Sequence, residues 1–234
     1  MKCSARSSSG TNGVNIPFDN FAAADVRKTV RLRNMNFNGV NTGLIGIRVT
    51  GGGTVAGGAV SIEDCLIDGN FSGVAPRGIS DERIGGGILL ISNTTVRNVG
   101  ESGIFIGPTS GSTRLDAVLD NVRVQNSRIG VAVAGSNRVM INRSVFSGHT
   151  AGGVLGAVSA EVNVSNSVVS NNGIGIQNAL GAPVIRLSNN DISFNGTALS
   201  GATQSFGNNR IQGNSTPGTA PTPIGSTSNP TGLQ

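Results

Sequence analysis

Residues 162–178 read VNVSNSVVSNNGIGIQN. Val162 and Val164 alternate with polar residues, Asn166 follows, Val169 closes the phrase, and Gly175-Ile176 opens another. Such alternation is the side-chain period of a strand with one buried face. Outward from this stretch the same phrase recurs: apolar, x, apolar, x, Asn, x, x, apolar. It reads Val30, Leu32, Asn34, Phe37; then Val60, Ile62, Asp64, Ile67; then Leu89, Ile91, Asn93, Val96; then Ala117, Leu119, Asn121, Val124. Val139, Ile141, Arg143 and Phe146 fill the same slots, as do Ile185, Leu187, Asn189 and Ile192, and a shortened copy holds Asn208 and Ile211. The Asn slot falls at 34, 64, 93, 121, 143, 166, 189 and 208, at intervals of 30, 29, 28, 22, 23, 23 and 19 residues.

Self-similarity at this period marks a solenoid. A second phrase follows each Asn, as in Gly46-Ile47-Arg48-Val49, Gly103-Ile104-Phe105-Ile106 and Gly130-Val131-Ala132-Val133. Each period therefore holds at least two short strands. One coil cannot bury its own apolar side; stacked coils bury it against each other, with parallel strands about 4.8 Å apart. The expected fold is all-β, a single-stranded parallel β-helix of about seven to eight coils, roughly 35 Å long at that spacing. A leucine-rich repeat has a similar period, but here Val and Ile fill its Leu slots and a second strand replaces its helical segment.

The recurrent Asn tolerates the left-handed backbone of a sharp corner, and stacked amides can bond along the rod as a ladder. The predicted ladder is Asn34, Asp64, Asn93, Asn121, Asn166, Asn189 and Asn208. Asp64 needs a donor above or below. Arg143 does not fit, so a distorted corner is expected there, with Arg143 turned outward and Asn142 in the ladder place.

Composition agrees with one β-rich domain. The 234 residues include 36 Gly, no Trp and no Tyr; charged residues are 12%, yet the net charge is +5. Residues 1–11 read as a flexible leader, 12–214 as the β-helix, and 215–234 as a disordered Pro/Ser/Thr-rich tail. No apolar run reaches the ~20 residues that span a bilayer, and the N-terminus as written has no apolar signal-peptide core. Residues 16–28 break the repeat and are helix-tolerant around Phe21 to Val26, a stretch expected to cover the first coil; Arg27, Lys28, Arg31 and Arg33 read as a charged end that discourages stacking, with anion binding as the alternative. The stretch 71–87 lengthens one coil, and its Arg77, Asp81, Glu82 and Arg83 read as a solvated turn. Cys3 and Cys65 read as a loose thiol and a small buried residue, with a bridge between them left open.

Phrases such as VSIEDCLIDGN, LLISNTTVRNVGESGIFI and VIRLSNNDISFNG resemble right-handed parallel β-helix repeats of the pectate-lyase-like superfamily, nearest to small secreted bacterial members of unassigned activity. The resemblance spans roughly residues 9 to 215. It implies right-handed winding, three parallel sheets with the third strand of each coil weak in sequence, and a secreted or cell-surface location. Enzymes of that superfamily act as polysaccharide lyases or glycoside hydrolases, the lyases with Ca2+. No catalytic run of theirs is found here, so no cofactor or metal is expected unless the chain is a lyase.

The candidate acid–base groups are Glu63, Asp68, Asp116 and Asp120, with Arg97 and Arg123. Glu63 and Asp120 share one repeat slot two coils apart, about 10 Å, at the upper edge for a glycosidase pair. His149 reads as a surface histidine. Phe71 and Phe105 are the candidate exposed aromatic platforms for sugar. Dispersed Arg and scarce aromatics argue against nucleic acid. Outward slots on the strands should be polar, yet Leu90, Val118 and Met140 on one sheet, and Phe105, Ala132 and Leu155 on another, are not. Either the 71–87 stretch or the tail covers them, or they form a homo-oligomer interface. The function expected is a non-catalytic extracellular scaffold or binding protein for polysaccharide or a partner; the alternative is a lyase or hydrolase.

Overall fold

The structure is a computed structural model that describes residues 3–6, 10–20, 28–51, 57–71, 73–108 and 113–225. Short strands wind around three faces, and every pairing between coils is parallel. The first face comprises Thr29–Arg33, Ala59–Glu63, Gly87–Ser92, Leu115–Asp120, Arg138–Asn142, Glu161–Ser165, Val184–Ser188, Gln204–Ser205 and Thr222–Pro223. The second face begins with Cys3–Arg6 and ends with Arg210–Gln212; the third begins with Val14–Pro17 and ends with Thr216–Gly218. In two coils these faces join in long strands, Thr95–Ile106 and Arg123–Val133, and their mutual register breaks between Val99 and Ser102. The only helical element among the described residues is a short 3-10 turn, Phe18–Asn20.

Register explains the repeat. Ile62, Ile91, Leu119, Ile141, Val164 and Leu187 stack as one row and are all buried. Each such side chain contributes on the order of 1.5–3 kcal/mol when taken out of water. The strand weak in sequence is the middle one. It is three residues long in most coils and carries a single inward residue, such as Ile67, Phe146 or Val169, so it shows no alternation.

Two left-handed corners per coil turn the chain. Asn34, Asp64, Asn93, Asn121, Arg143, Asn166 and Asn189 make the first, between faces one and two. Asn70, Asn98, Asn126, Gly148, Asn171, Phe194 and Gly213 make the second. The corner at Arg143, with φ 49°, is no more distorted than its neighbours.

Several expectations are corrected. Among the described residues the stack is nine strands deep on the first face, against the expected seven to eight coils. Within the expected leader, Cys3–Arg6 is a strand that pairs with Met35–Asn38. The tail is not disordered through its first part: Thr216–Gly218 and Thr222–Pro223 add strands to the stack, and the carbonyls of Leu199 and Ser205 in the coil beneath accept the N–H groups of Thr219 and Ile224. The helix-tolerant stretch 21–27 lies outside the described residues. Cys65 is a buried free thiol.

The charges of 71–87 are not a solvated turn. Asp81, Glu82 and Arg83 are buried because Arg77–Asp81 is a strand of the third face, and Asp81 sits in the inward row between Val49 and Ile106. Arg83 grips Asp81 with two bonds, Nε to Oδ1 at 2.9 Å and Nη2 to Oδ2 at 2.7 Å, and donates to the carbonyls of Gly58 and Ile88. Glu82 accepts from Arg48, Arg77 and Ser80. Gly87, at φ 132°, is required here: a Cβ would stand 2.6 Å from Arg83 Nη1.

His149 is not at the surface either. The left-handed Gly148 turns it inward, where it is 2% exposed. Phe71 is buried and offers no platform, and Arg77 lies over the Phe105 ring, 3.6 Å from its centroid.

A polar furrow along the first corner

The surface is concave where faces one and two meet, and hollows there recur along the rod. The floor is the Asn slot. Asn93 donates to Asp64 at 3.2 Å, Asn121 to Asn93 at 2.8 Å, Asn166 to Asn142 at 2.8 Å and Asn189 to Asn166 at 2.7 Å. Asn208 accepts from the backbone N–H of Asn189 at 2.8 Å. Asn142 occupies the place next to Arg143 and donates to Asp120 at 3.1 Å. The ladder is thus two runs offset by one residue. Asp64 has its donor in Asn93, and Asn34 makes no side-chain bond into the ladder among the described residues. The outer rim is the second-face row Asn36, Leu66, Thr95, Arg123, Val145, Val168, Asp191, Arg210.

Each carboxylate along the furrow faces an arginine. Asp64 pairs with Arg33 at 3.1 Å, Asp120 with Arg143, and Asp191 with Arg210 at 2.9 Å. Glu63, one residue before the corner, pairs with Arg31 at 2.5 Å. That bond, together with one from Ser61, holds its carboxyl below the usual range. On the second face, burial opposes ionisation of Asp68, but bonds from Asn98 and Arg97 outweigh it and lower its pKa. Arg123 projects from the rim without an ion pair among the described residues.

The sequence candidates are therefore not one site. Glu63 and Asp120 stay two strands apart in register with Ser92 between them, each closed by its own arginine. Asp68 and Arg97 pair with each other on another face. Asp116 pairs with Arg114 at 3.1 Å at the far edge of the first face. Arg31 and Arg33 are engaged by Glu63 and Asp64, which opposes their holding an anion. Among the described residues, no group of three or more His, Cys, Asp or Glu could hold a metal ion, and no helix is long and apolar enough to cross a membrane.

Ser127 and His149 touch, Oγ to Nδ1 at 2.9 Å, but both are buried and Ser127 Oγ donates to Ile129 O at 2.8 Å. No substrate can reach this pair. It belongs to an inner column of the second corner, in which each side chain accepts the backbone N–H of the preceding coil: His149 from Ser127, Asn172 from His149, Asn195 from Asn172, Asn214 from Asn195. A parallel column behind the ladder uses Thr94, Ser144, Ser167, Asn190 and Asn209. Sequence reasoning missed both columns. Their signal was the Asn doublet at 171–172 and 189–190, in which the first Asn turns the chain and the second points inward; at 208–209 only the inward role recurs, in Asn209.

Leu90, Val118 and Met140 are exposed, by 37%, 38% and 50%, and nothing among the described residues covers them. Ile88, 58% exposed, lies beside them. Phe105, Ala132 and Leu155 do not extend this patch. They lie on the third face, where Ala132 is buried and the other two are half-buried.

Residues 77–231 match the family model described as a right handed beta helix region. No curated protein matches the chain, and no solved structure does.

Proposed function

This chain belongs to the right-handed β-helix family, and on that premise we propose that it is a non-catalytic extracellular binding scaffold that lays an extended polysaccharide along the Asn furrow. One observation carries the reading: the floor is a row of primary amides with hydrogen-bonding capacity left over, while the acids beside it are neutralised by arginines. Each amide has two N–H donors and two lone pairs, and a ladder bond uses only one of each. Such a row suits the repeated hydroxyls of a sugar chain. A general acid needs a raised pKa, whereas Glu63 and Asp68 are both held down. Arg123 and Thr95 on the rim would supply further donors.

A glycan array tests this. Bound glycans should be linear chains, and Arg123→Ala with Thr95→Ala should weaken them about tenfold, the loss of one or two hydrogen bonds, with an unchanged melting curve. An array without signal would remove the proposal. Incubation with acidic polysaccharides, with and without calcium, should leave the ultraviolet absorbance flat; a rise from unsaturated products would establish a lyase instead.

A further inference from the structure

We propose that the first face is a homodimer interface, with two chains packed sheet against sheet and their rods antiparallel. The inference stands apart from the furrow and its ligand. The outward row of the first face runs Arg31, Ser61, Leu90, Val118, Met140, Asn163, Arg186, Gln204, so its apolar members sit near the middle of the stack. The neighbouring outward row runs Ala59, Ile88, Asp116, Arg138, Glu161, Val184, placing acid, base, acid in succession beside the patch.

That charge order selects the arrangement. Consider a two-fold axis parallel to the strands. Centred on the strand of Val118, it would set Asp116 against its own copy; centred on that of Met140, it would set Arg138 against its own copy. Centred between the two strands, it sets Asp116 against Arg138 twice and Val118 against Met140 twice. The same operation places Leu90 on Asn163, Ile88 on Glu161, Ala59 on Val184, Ser61 on Arg186, Glu63 on Ser188 and Arg31 on Gln204. No like charges meet. Eight of the nine strands of the face overlap. At ~4.8 Å per strand and about five residues of ~3.3 Å, that is on the order of 650 Å2 per partner, or about 1,300 Å2 in total, within the standard range for a specific complex.

Light scattering and sedimentation velocity on the full chain test the idea. Wild type should run at twice the 23.6 kDa chain mass. Met140→Arg should be monomeric with unchanged circular dichroism, since the side chain is half exposed in one chain. Asp116→Arg should weaken dimerisation by about tenfold or more by facing Arg138 across the interface, and Asp116→Arg with Arg138→Asp should restore it. A monomeric or trimeric wild type, or a dimer untouched by Met140→Arg, would overturn the interface. Failure of the double exchange to restore the dimer would overturn the antiparallel register.

Discussion

At His149 the core holds an imidazole in a slot that becomes Asn172 and Asn195 in the next two coils. Its Nδ1 lies against the N–H and Oγ of Ser127, and its Nε2 is buried without a partner. Gly130 leaves the space: a Cβ there would lie 2.7 Å from Nε2. Burial pushes the pKa down to about 4, with no charged neighbour to oppose it. The ordinary value is about 6.5. Between those values the unfolded chain binds the proton and the folded chain does not, so stability falls as pH drops from 6.5 towards 4. The loss should approach roughly 3 kcal/mol. His149→Asn, which restores the neighbouring coils' residue, should abolish this component; urea midpoints at pH 7 and pH 4.5 measure it, and an equal acid loss in the variant would refute it. Arg83 is the second such residue. Arg83→Met leaves Asp81 charged and unpaired inside the stack, a loss of about 3–5 kcal/mol, while Asp81→Leu with Arg83→Met should recover most of it. Equilibrium unfolding distinguishes the two. The inward slot of Asp81 is legible only once Gly78-Ile79-Ser80-Asp81 is aligned with Gly46-Ile47-Arg48-Val49, because a charge in the last apolar slot disguises the phrase.

At the scale of the corner, the Asn slot does two jobs that Arg143 and Asn142 separate. Arg143 makes the left-handed turn, and Asn142 carries the amide bond to Asn166. Arg143→Asn should therefore change stability by less than about 1 kcal/mol, since it removes only an exposed ion pair. Asn121→Ala removes both the tolerated conformation and the bond to Asn93, and should cost about 2 kcal/mol; thermal unfolding of the pair measures the contrast. Here the sequence was readable in part. Rows such as Ile62–Ile91–Leu119 and the spacing of the Asn slot follow from alternation and period alone. The short middle strand does not, because one inward residue such as Ile67 creates no alternation. The furrow escaped for another reason: concavity depends on the angle between faces, whereas the candidate acids were chosen by type and then found to be spent on Arg31, Arg97, Arg114 and Arg143.

Over the whole molecule, the interior changes character along the rod. At the second corner the inward residues run Phe71, Val99, Ser127, His149, Asn172, Asn195 and Asn214, from aromatic to amide. The early coils are long and filled with hydrocarbon; the late ones are short and stitched by side-chain bonds to backbone. The final strands belong to this second type. A chain ended at Asn214 would strip Thr216–Gly218 and Thr222–Pro223 from the coil below and should melt several degrees lower, on the scale of a 1–2 kcal/mol loss in a domain of this size. Differential scanning calorimetry settles whether those residues carry load.

The unequal early coils also solve a winding problem. Arg138–Asn142, Glu161–Ser165 and Val184–Ser188 follow one another at a constant 23 residues, so a chain displaced by one such turn would still seat valine and isoleucine where valine and isoleucine belong. Identical gear teeth cannot tell which tooth has engaged. Phe71 and the Asp81–Arg83 clasp fit at one level only, and they act as the key that indexes every later turn.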